Sequence, residues 1–209
     1  MMCLQIRQHG VFIVIILVLN ACATIEKPST EDATINKQAA WELHRINLEA
    51  IQAWSLKGRI AGKSNSEGFR AGVHWKQQES NFNIDMHGPL GRKIAELTGD
   101  ESNVQLNTSK GERFSASNPE SLMQELFGYS LPINGLQYWM RGIPNPEQAY
   151  ASLELDDQGR LKQLHQAGWI IDYDRYHVGD PELPAFIKIS SATLNANVKI
   201  DKWNLNSSM

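Results

Sequence analysis

The turns between apolar runs constrain this chain more than any other feature. From Ser55 onward hydrophobic residues recur with period two, most clearly where Phe82, Ile84 and Met86 alternate with Asn83, Asp85 and His87. That is the pattern of a strand with one apolar and one polar face. The runs are separated by Glu79-Ser80, Gly88-Pro89-Leu90-Gly91, Gly99-Asp100 and Lys110-Gly111. A parallel crossover needs a dozen or more residues, so each strand has to fold back on its neighbour as an antiparallel meander. The pattern predicts strands at 55–63, 69–77, 81–87, 93–99, 103–108 and 113–115, and again at 149–155, 161–166, 169–176, 185–190 and 194–203. Asp156-Asp157-Gln158-Gly159 reads as a turn between two of them and not as a catalytic acid pair.

Helices interrupt the pattern twice. An opening helix is expected over 36–53, with Ala40, Leu43, Ile46 or Asn47, Ala50 and Trp54 on its apolar face. In the middle of the chain, Asn118 before Pro119 starts a helix that runs to about Phe127, with Leu122, Met123, Leu126 and Phe127 as its stripe. A second, over 134–141, carries Leu136, Trp139 and Met140 and stops at Gly142, ahead of Pro144 and Pro146. A sheet of about eleven strands curls, and its open edges need cover. The expected fold is therefore mainly β: a curled, incompletely closed antiparallel barrel with a helical lid over an apolar cavity.

The first residues are a processing signal. A polar start with Arg7 and His9 leads into an unbroken apolar run from Val11 to Leu19, followed by Asn20-Ala21-Cys22. A run this short falls well below the roughly 20 residues that a membrane-spanning helix needs. Leu19, Ala21 and Cys22 resemble the lipobox of bacterial lipoproteins, in which the cysteine is acylated and becomes the first residue. Residues 1–21 would then be removed, 22–37 would form a polar tether, and 38–209 would be one domain. Cys3 leaves with the leader, so Cys22 is an anchor and no disulfide can form. Ala23 stands where the sorting system that this resembles uses Asp to retain lipoproteins in the inner membrane, so delivery to the outer membrane is expected. The net charge is -3 and becomes more negative when Arg7 is removed, which leaves no basic excess for nucleic acid.

Catalytic and ligand motifs are absent from the sequence. The six histidines fall in no HExxH spacing, and there is no GxSxG, Walker or GxGxxG run. We assign no catalytic residue, metal or cofactor. One local feature is poorly explained by folding. Pro89, Leu90 and Gly91 put a bulky apolar side chain at a hairpin tip, where it is either exposed to solvent or folded back onto the end of the sheet.

Several runs together resemble the LolB family of outer-membrane lipoprotein receptors. They are Gly88-Pro89-Leu90-Gly91, Asn118-Pro119-Glu120-Ser121-Leu122-Met123 with Leu131-Pro132, Leu136-Gln137-Tyr138-Trp139-Met140-Arg141-Gly142-Ile143-Pro144, and Gln166-Ala167-Gly168-Trp169. The resemblance implies a monomeric half-barrel with an apolar cavity, lipidated at Cys22 and held on the periplasmic face of the outer membrane. Its partners would be the carrier LolA, acylated lipoprotein cargo and outer-membrane lipid. The family's exposed loop leucine falls on Leu90, so Pro89, Leu90 and Gly91 form the expected membrane-insertion loop. Tryptophans that recur in the family fall on Trp75, Trp139, Trp169 and Trp203. Trp75, Trp139 and Trp169, with Phe82, Ile84 and Met86 from an inward strand face, are the acyl-cavity candidates. The alternative is an outer-membrane lipoprotein that binds a small hydrophobic ligand or scaffolds envelope assembly.

Overall fold

Alternating apolar residues and short turns build a single sheet in the computed structural model, which describes residues 30–64, 67–127 and 132–205. The strands are β1 (Ala53–Ser64), β2 (Glu67–Gln78), β3 (Asn81–His87), β4 (Lys93–Gly99), β5 (Val104–Thr108), β6 (Arg113–Ala116), β7 (Tyr150–Leu155), β8 (Leu161–Gln166), β9 (Trp169–Tyr176), β10 (Pro184–Ser190) and β11 (Leu194–Leu205). Their spatial order is β6-β5-β4-β3-β2-β1-β11-β10-β9-β8-β7. Two meanders are thus joined in the middle by antiparallel pairing of β1 with β11, from Trp54 opposite Leu205 to Ser64 opposite Leu194. The sheet is not closed, and β6 and β7 are its edges.

This order dictates where the helices lie. The chain leaves one edge after β6 and must re-enter at the other edge with β7. The connection carries α2 (Pro119–Phe127) and α3 (Ile133–Arg141), and their buried residues Leu122, Met123, Ile133, Leu136, Trp139 and Met140 join the core. The apolar strand faces line up across the sheet by register: Leu106 faces Leu97, Leu97 faces Ile84, Ile84 faces Trp75 and Trp75 faces Leu56. On the second meander Leu164 faces Ile171, Ile171 faces Ile189 and Ile189 faces Ala196.

The opening helix differs from expectation at both ends and on both faces. Helix α1 spans Thr30–Glu49, so residues 30–37, read as tether, are helical; the rest of that tether, Cys22 and the leader lie outside the described residues. Trp54, assigned to the helix stripe, is instead the second residue of β1. The buried side chains of α1 are Trp41 and Leu48, while Leu43 and Ile46 are 68% and 54% exposed. Turning the helix this way buries the bulky indole of Trp41 together with Leu48.

Helix α1 docks on the β7–β8 turn at backbone distance. Gly159 has φ +76, and a Cβ there would lie 2.6 Å from the Ala40 Cβ and 2.8 Å from the Lys37 carbonyl oxygen. Lys37 also pairs with Asp157 of the same turn at 2.6 Å. His44, between Trp41 and Leu48 in sequence, meets the Tyr176 ring edge-on with centroids 6.4 Å apart. Burial holds its imidazole below the usual histidine range, against the pull of Glu182 and Asp156 and with the help of Arg160.

Two predictions follow from this docking. Gly159→Ala should lose about 2 to 4 kcal/mol in urea unfolding, from the left-handed backbone plus the collision with α1. Gly168→Ala, also at positive φ but with nothing within 4 Å, should lose only about 1 kcal/mol. Equal losses would reject the close approach. Because the folded protein disfavours protonated His44, the unfolded chain binds more protons below its pKa of about 6.5. Stability should therefore fall as pH drops through that value, and the Tm of a His44→Leu variant should fall less over the same range.

Candidate functional site

The β3–β4 hairpin carries the most exposed apolar side chain among the described residues. Pro89–Gly91 form a single 3-10 turn closed by backbone hydrogen bonds from Gly88 to Arg92 (2.9 Å) and from Gly91 to Gly88 (3.2 Å). Leu90 sits in the left-handed region at φ 66, and its side chain is fully exposed. A non-glycine residue there costs roughly 1–2 kcal/mol, and no packing of the side chain offsets it. The two sequence readings of this leucine are thus resolved in favour of exposure. Strain of this kind in an ordered turn is a marker of function.

From the tip an apolar wall leads back into the barrel. Ile60, Phe69, Val73, Met86 and Ala95 are packed against the core but remain partly exposed. They share a face with the fully buried part of the sheet, because Val73 and Trp75 alternate along β2 as Ala95 and Leu97 do along β4. Register sets Val73 opposite Met86 and Met86 opposite Ala95. Beyond a register shift that leaves Ile94 as the extra residue of β4, His87 opposite Lys93 frames the Leu90 turn. The concave face of β1–β4 is therefore buried at one end of the strands and half-open at the end that bears Leu90.

The acyl-cavity candidates divide into three settings. Trp75, Phe82 and Ile84 lie in the buried core, with Trp75 packed on Trp54 at 5.3 Å between ring centroids, and Trp54 in turn on Trp203 at 5.3 Å. Met86 belongs to the half-open wall. Trp139 and Trp169 meet under α3 with centroids 6.2 Å apart. Sequence reasoning missed Ile60, Phe69, Val73 and Ala95. Their alternation was visible, but partial exposure depends on where the lid ends.

The two lid helices are held by different forces. Helix α3 is fastened by buried polar groups. Gln166, 1% exposed, accepts from the Trp139 indole N–H (2.7 Å) and the Asn145 backbone N–H (2.9 Å), and donates to the carbonyls of Asn145 (2.8 Å) and Gln148 (2.6 Å). The Tyr173 hydroxyl donates to the Trp139 carbonyl at 3.0 Å, and burial raises its pKa well above that of ordinary tyrosine. Arg141 donates to the carbonyls of Leu48 (3.1 Å) in the last turn of α1 and of Ile51 (2.7 Å) just beyond it, tying α3 to that end of the helix. Its guanidinium is buried, which lowers its pKa from the usual value. Helix α3 ends at Gly142, φ 82, where Ile143 N–H closes back on the Tyr138 carbonyl. By contrast, α2 is held by Leu122 and Met123 in the core and by Glu120 accepting the Asn134 N–H at 3.4 Å.

A groove of about 600 Å³ on the second meander is lined by Glu154, Asp156, Arg160, Lys162, Asp172 and Lys188, among others. Its charges are paired with one another or with neighbours, as in Arg160–Asp156 at 2.6 Å and Lys188–Asp174 at 2.7 Å. Apolar chains would gain nothing there.

Residues 52–203 match the model of the family described as outer membrane lipoprotein LolB. The outer-membrane lipoprotein LolB of Alkalilimnicola ehrlichii is 35% identical over 190 residues, covering 90% of this chain and 92% of its own. That of Chromohalobacter salexigens is 34% identical over 194 residues, covering 92% and 88%. Among solved structures, a LolA superfamily protein from Nitrosomonas europaea shares the fold, with a TM-score of 0.51 at 7% identity, over 83% of this chain and 95% of that one.

Gln166→Leu should cost at least about 3 kcal/mol in urea unfolding, because buried donors and acceptors are left unpaired at about 1–3 kcal/mol each. Leu90→Gly should leave stability within about 1 kcal/mol of the parent, since relief of the left-handed strain is offset by glycine's chain entropy. A large loss in the second variant would show that Leu90 packs on the sheet.

Proposed function

The chain belongs to the outer membrane lipoprotein LolB family, and from that premise we propose that it takes acylated lipoproteins from the periplasmic carrier LolA and inserts them into the inner leaflet of the outer membrane. It would be held there by acyl chains on Cys22, act as a monomer, and need neither cofactor nor catalytic step. The observation that carries this reading is the half-open apolar wall of Ile60, Val73, Met86 and Ala95 running to the exposed tip at Leu90.

Free diffusion of the cargo is ruled out energetically. Roughly 45 methylenes of a triacylated lipoprotein, at about 0.8 kcal/mol each, would cost about 35 kcal/mol to expose to water. Transfer must therefore proceed by direct contact between apolar surfaces, downhill from carrier to receptor to bilayer. On this reading acyl chains enter along the half-open wall, and α2 gives way to them. The contacts of Leu122 and Met123 are apolar, so lipid can replace them without loss. The polar bonds of Gln166 and Arg141 have no equivalent in lipid, so α3 stays in place. Trp139 and Trp169 would then line the fixed side of the cavity, and Trp75, Phe82, Ile84 and Met86 the sheet side.

Leu90, with Pro89 and Gly91 holding its turn, would enter the bilayer surface and open a path for the chains. When the protein is mixed with carrier loaded with an acylated lipoprotein, cargo should pass to it; cargo staying on the carrier would reject the receptor reading and favour a binder of small apolar ligands. In the same assay with liposomes, Leu90→Glu should accept cargo normally yet insert it at least about tenfold more slowly, because a carboxylate is costly to bury in hydrocarbon. Undiminished insertion by that variant would sink the role given to the tip.

A further inference from the structure

Helix α1 has a second apolar face that nothing among the described residues covers. Trp41 and Leu48 are buried, whereas Ala39, Leu43, Ile46 and Ala50 are exposed at helical spacing along the outer side. The charges beside this stripe are engaged with one another within the helix: Arg45 pairs with Glu42 at 2.8 Å and with Glu49 at 2.6 Å. A second element adds to the same end of the sheet. The β9–β10 loop exposes Val178 completely, two residues beyond Tyr176, whose ring meets His44 of α1. Isolated exposed aliphatic residues are ordinary, but a periodic helix stripe with an exposed loop valine at the same end forms a surface.

The chain itself indicates what covers it. Eight peptide links join Cys22 to Thr30, the first residue of α1. Fully extended they span at most roughly 26–29 Å, so an acylated Cys22 keeps α1 close to the bilayer whatever the rest of the domain does. We propose that the outer face of α1, with Val178, rests on the leaflet that holds the acyl chains of Cys22; this builds on the lipid-anchor reading given above. Acidic side chains outnumber basic ones in α1, with Glu31, Asp32, Glu42 and Glu49 against Lys37 and Arg45. The contact is therefore apolar, with zwitterionic lipid, and insensitive to salt. It is separate from the Leu90 tip, which leaves the sheet at the opposite end of the strands. The helix face would seat the waiting receptor, and the tip would act at delivery.

The test uses the full acylated protein in phosphatidylcholine–phosphatidylethanolamine vesicles. Cys22 is the only cysteine of the processed chain and is blocked by its lipid, so an introduced cysteine takes an environment-sensitive fluorophore uniquely. Probes at Ala39→Cys and Ala50→Cys should be blue-shifted and quenched by brominated lipid at least about twofold more than a probe at Gln105→Cys, exposed on β5. Adding Leu43→Glu and Ile46→Glu should abolish the difference while the protein still floats with the vesicles. Equal quenching at all three positions in floating protein would overturn the proposal and leave the anchor reading intact. Failure of the parent protein to float would overturn both. Protection of the helix probes only after carrier is added would overturn it in favour of a protein-docking face.

Discussion

The pairing of β1 with β11 is the constraint on which the rest of the molecule depends. Each meander alone is a local structure with short turns, none longer than the 177–183 loop, and each would leave an apolar face in water. Joining them in mid-sheet, where Ile60 meets Val198 and Leu56 meets Trp203, makes one curved surface wide enough to enclose a core. It also places β6 and β7 at opposite edges, so that the only covalent route between them crosses the concave side. The lid is thus a consequence of strand order more than of any affinity of α2 or α3 for each other. A pairing this distant in sequence has a high loop-closure entropy cost, and the long apolar register of both strands is what offsets it.

Within that frame, buried polar groups and apolar groups divide the work. Gln166 and Arg141 place their hydrogen bonds where water cannot compete, and fix α3 to β8 and to the end of α1. Leu122 and Met123 hold α2 by contacts that any hydrocarbon can imitate. On the proposed function, the lid would use both kinds of bond: one part that lipid cannot dissolve and another that it can displace. The direction of transfer would then come from successively better apolar surroundings for the cargo.

Exposure is graded along the sheet in the same sense. At one end the strands are sealed by α1, whose backbone lies against Gly159 and whose Leu48 carbonyl accepts from Arg141. At the other end the wall from Ile60 to Ala95 is half-open and ends in a leucine held in a strained turn. The molecule therefore has a closed end and an open end, and the side chain with most to gain from a bilayer stands at the open one.

Much of this was legible in the sequence, because strand alternation and turn length are local properties that tertiary contacts rarely override. Eleven strands, two central helices, the Gly142 stop and the turn at 156–159 could all be read from neighbouring residues, and runs such as Trp139-Met140-Arg141-Gly142 indicated the family. Three features could not be read this way. The face of α1 was misassigned because Leu43 and Trp41 compete for one buried side, and the winner is decided by Gly159 more than a hundred residues away. Trp75, Phe82 and Ile84 were placed on the inward face without any indication that they would lie in the sealed part. The exposure of Leu90 stayed open because proline and glycine permit either outcome. The sequence by itself determined the elements, their antiparallel order and the apolar side of each strand, since these follow from spacing along the chain. Only the tertiary structure decided which apolar residues are sealed, half-open or exposed, because burial is set by what packs from elsewhere.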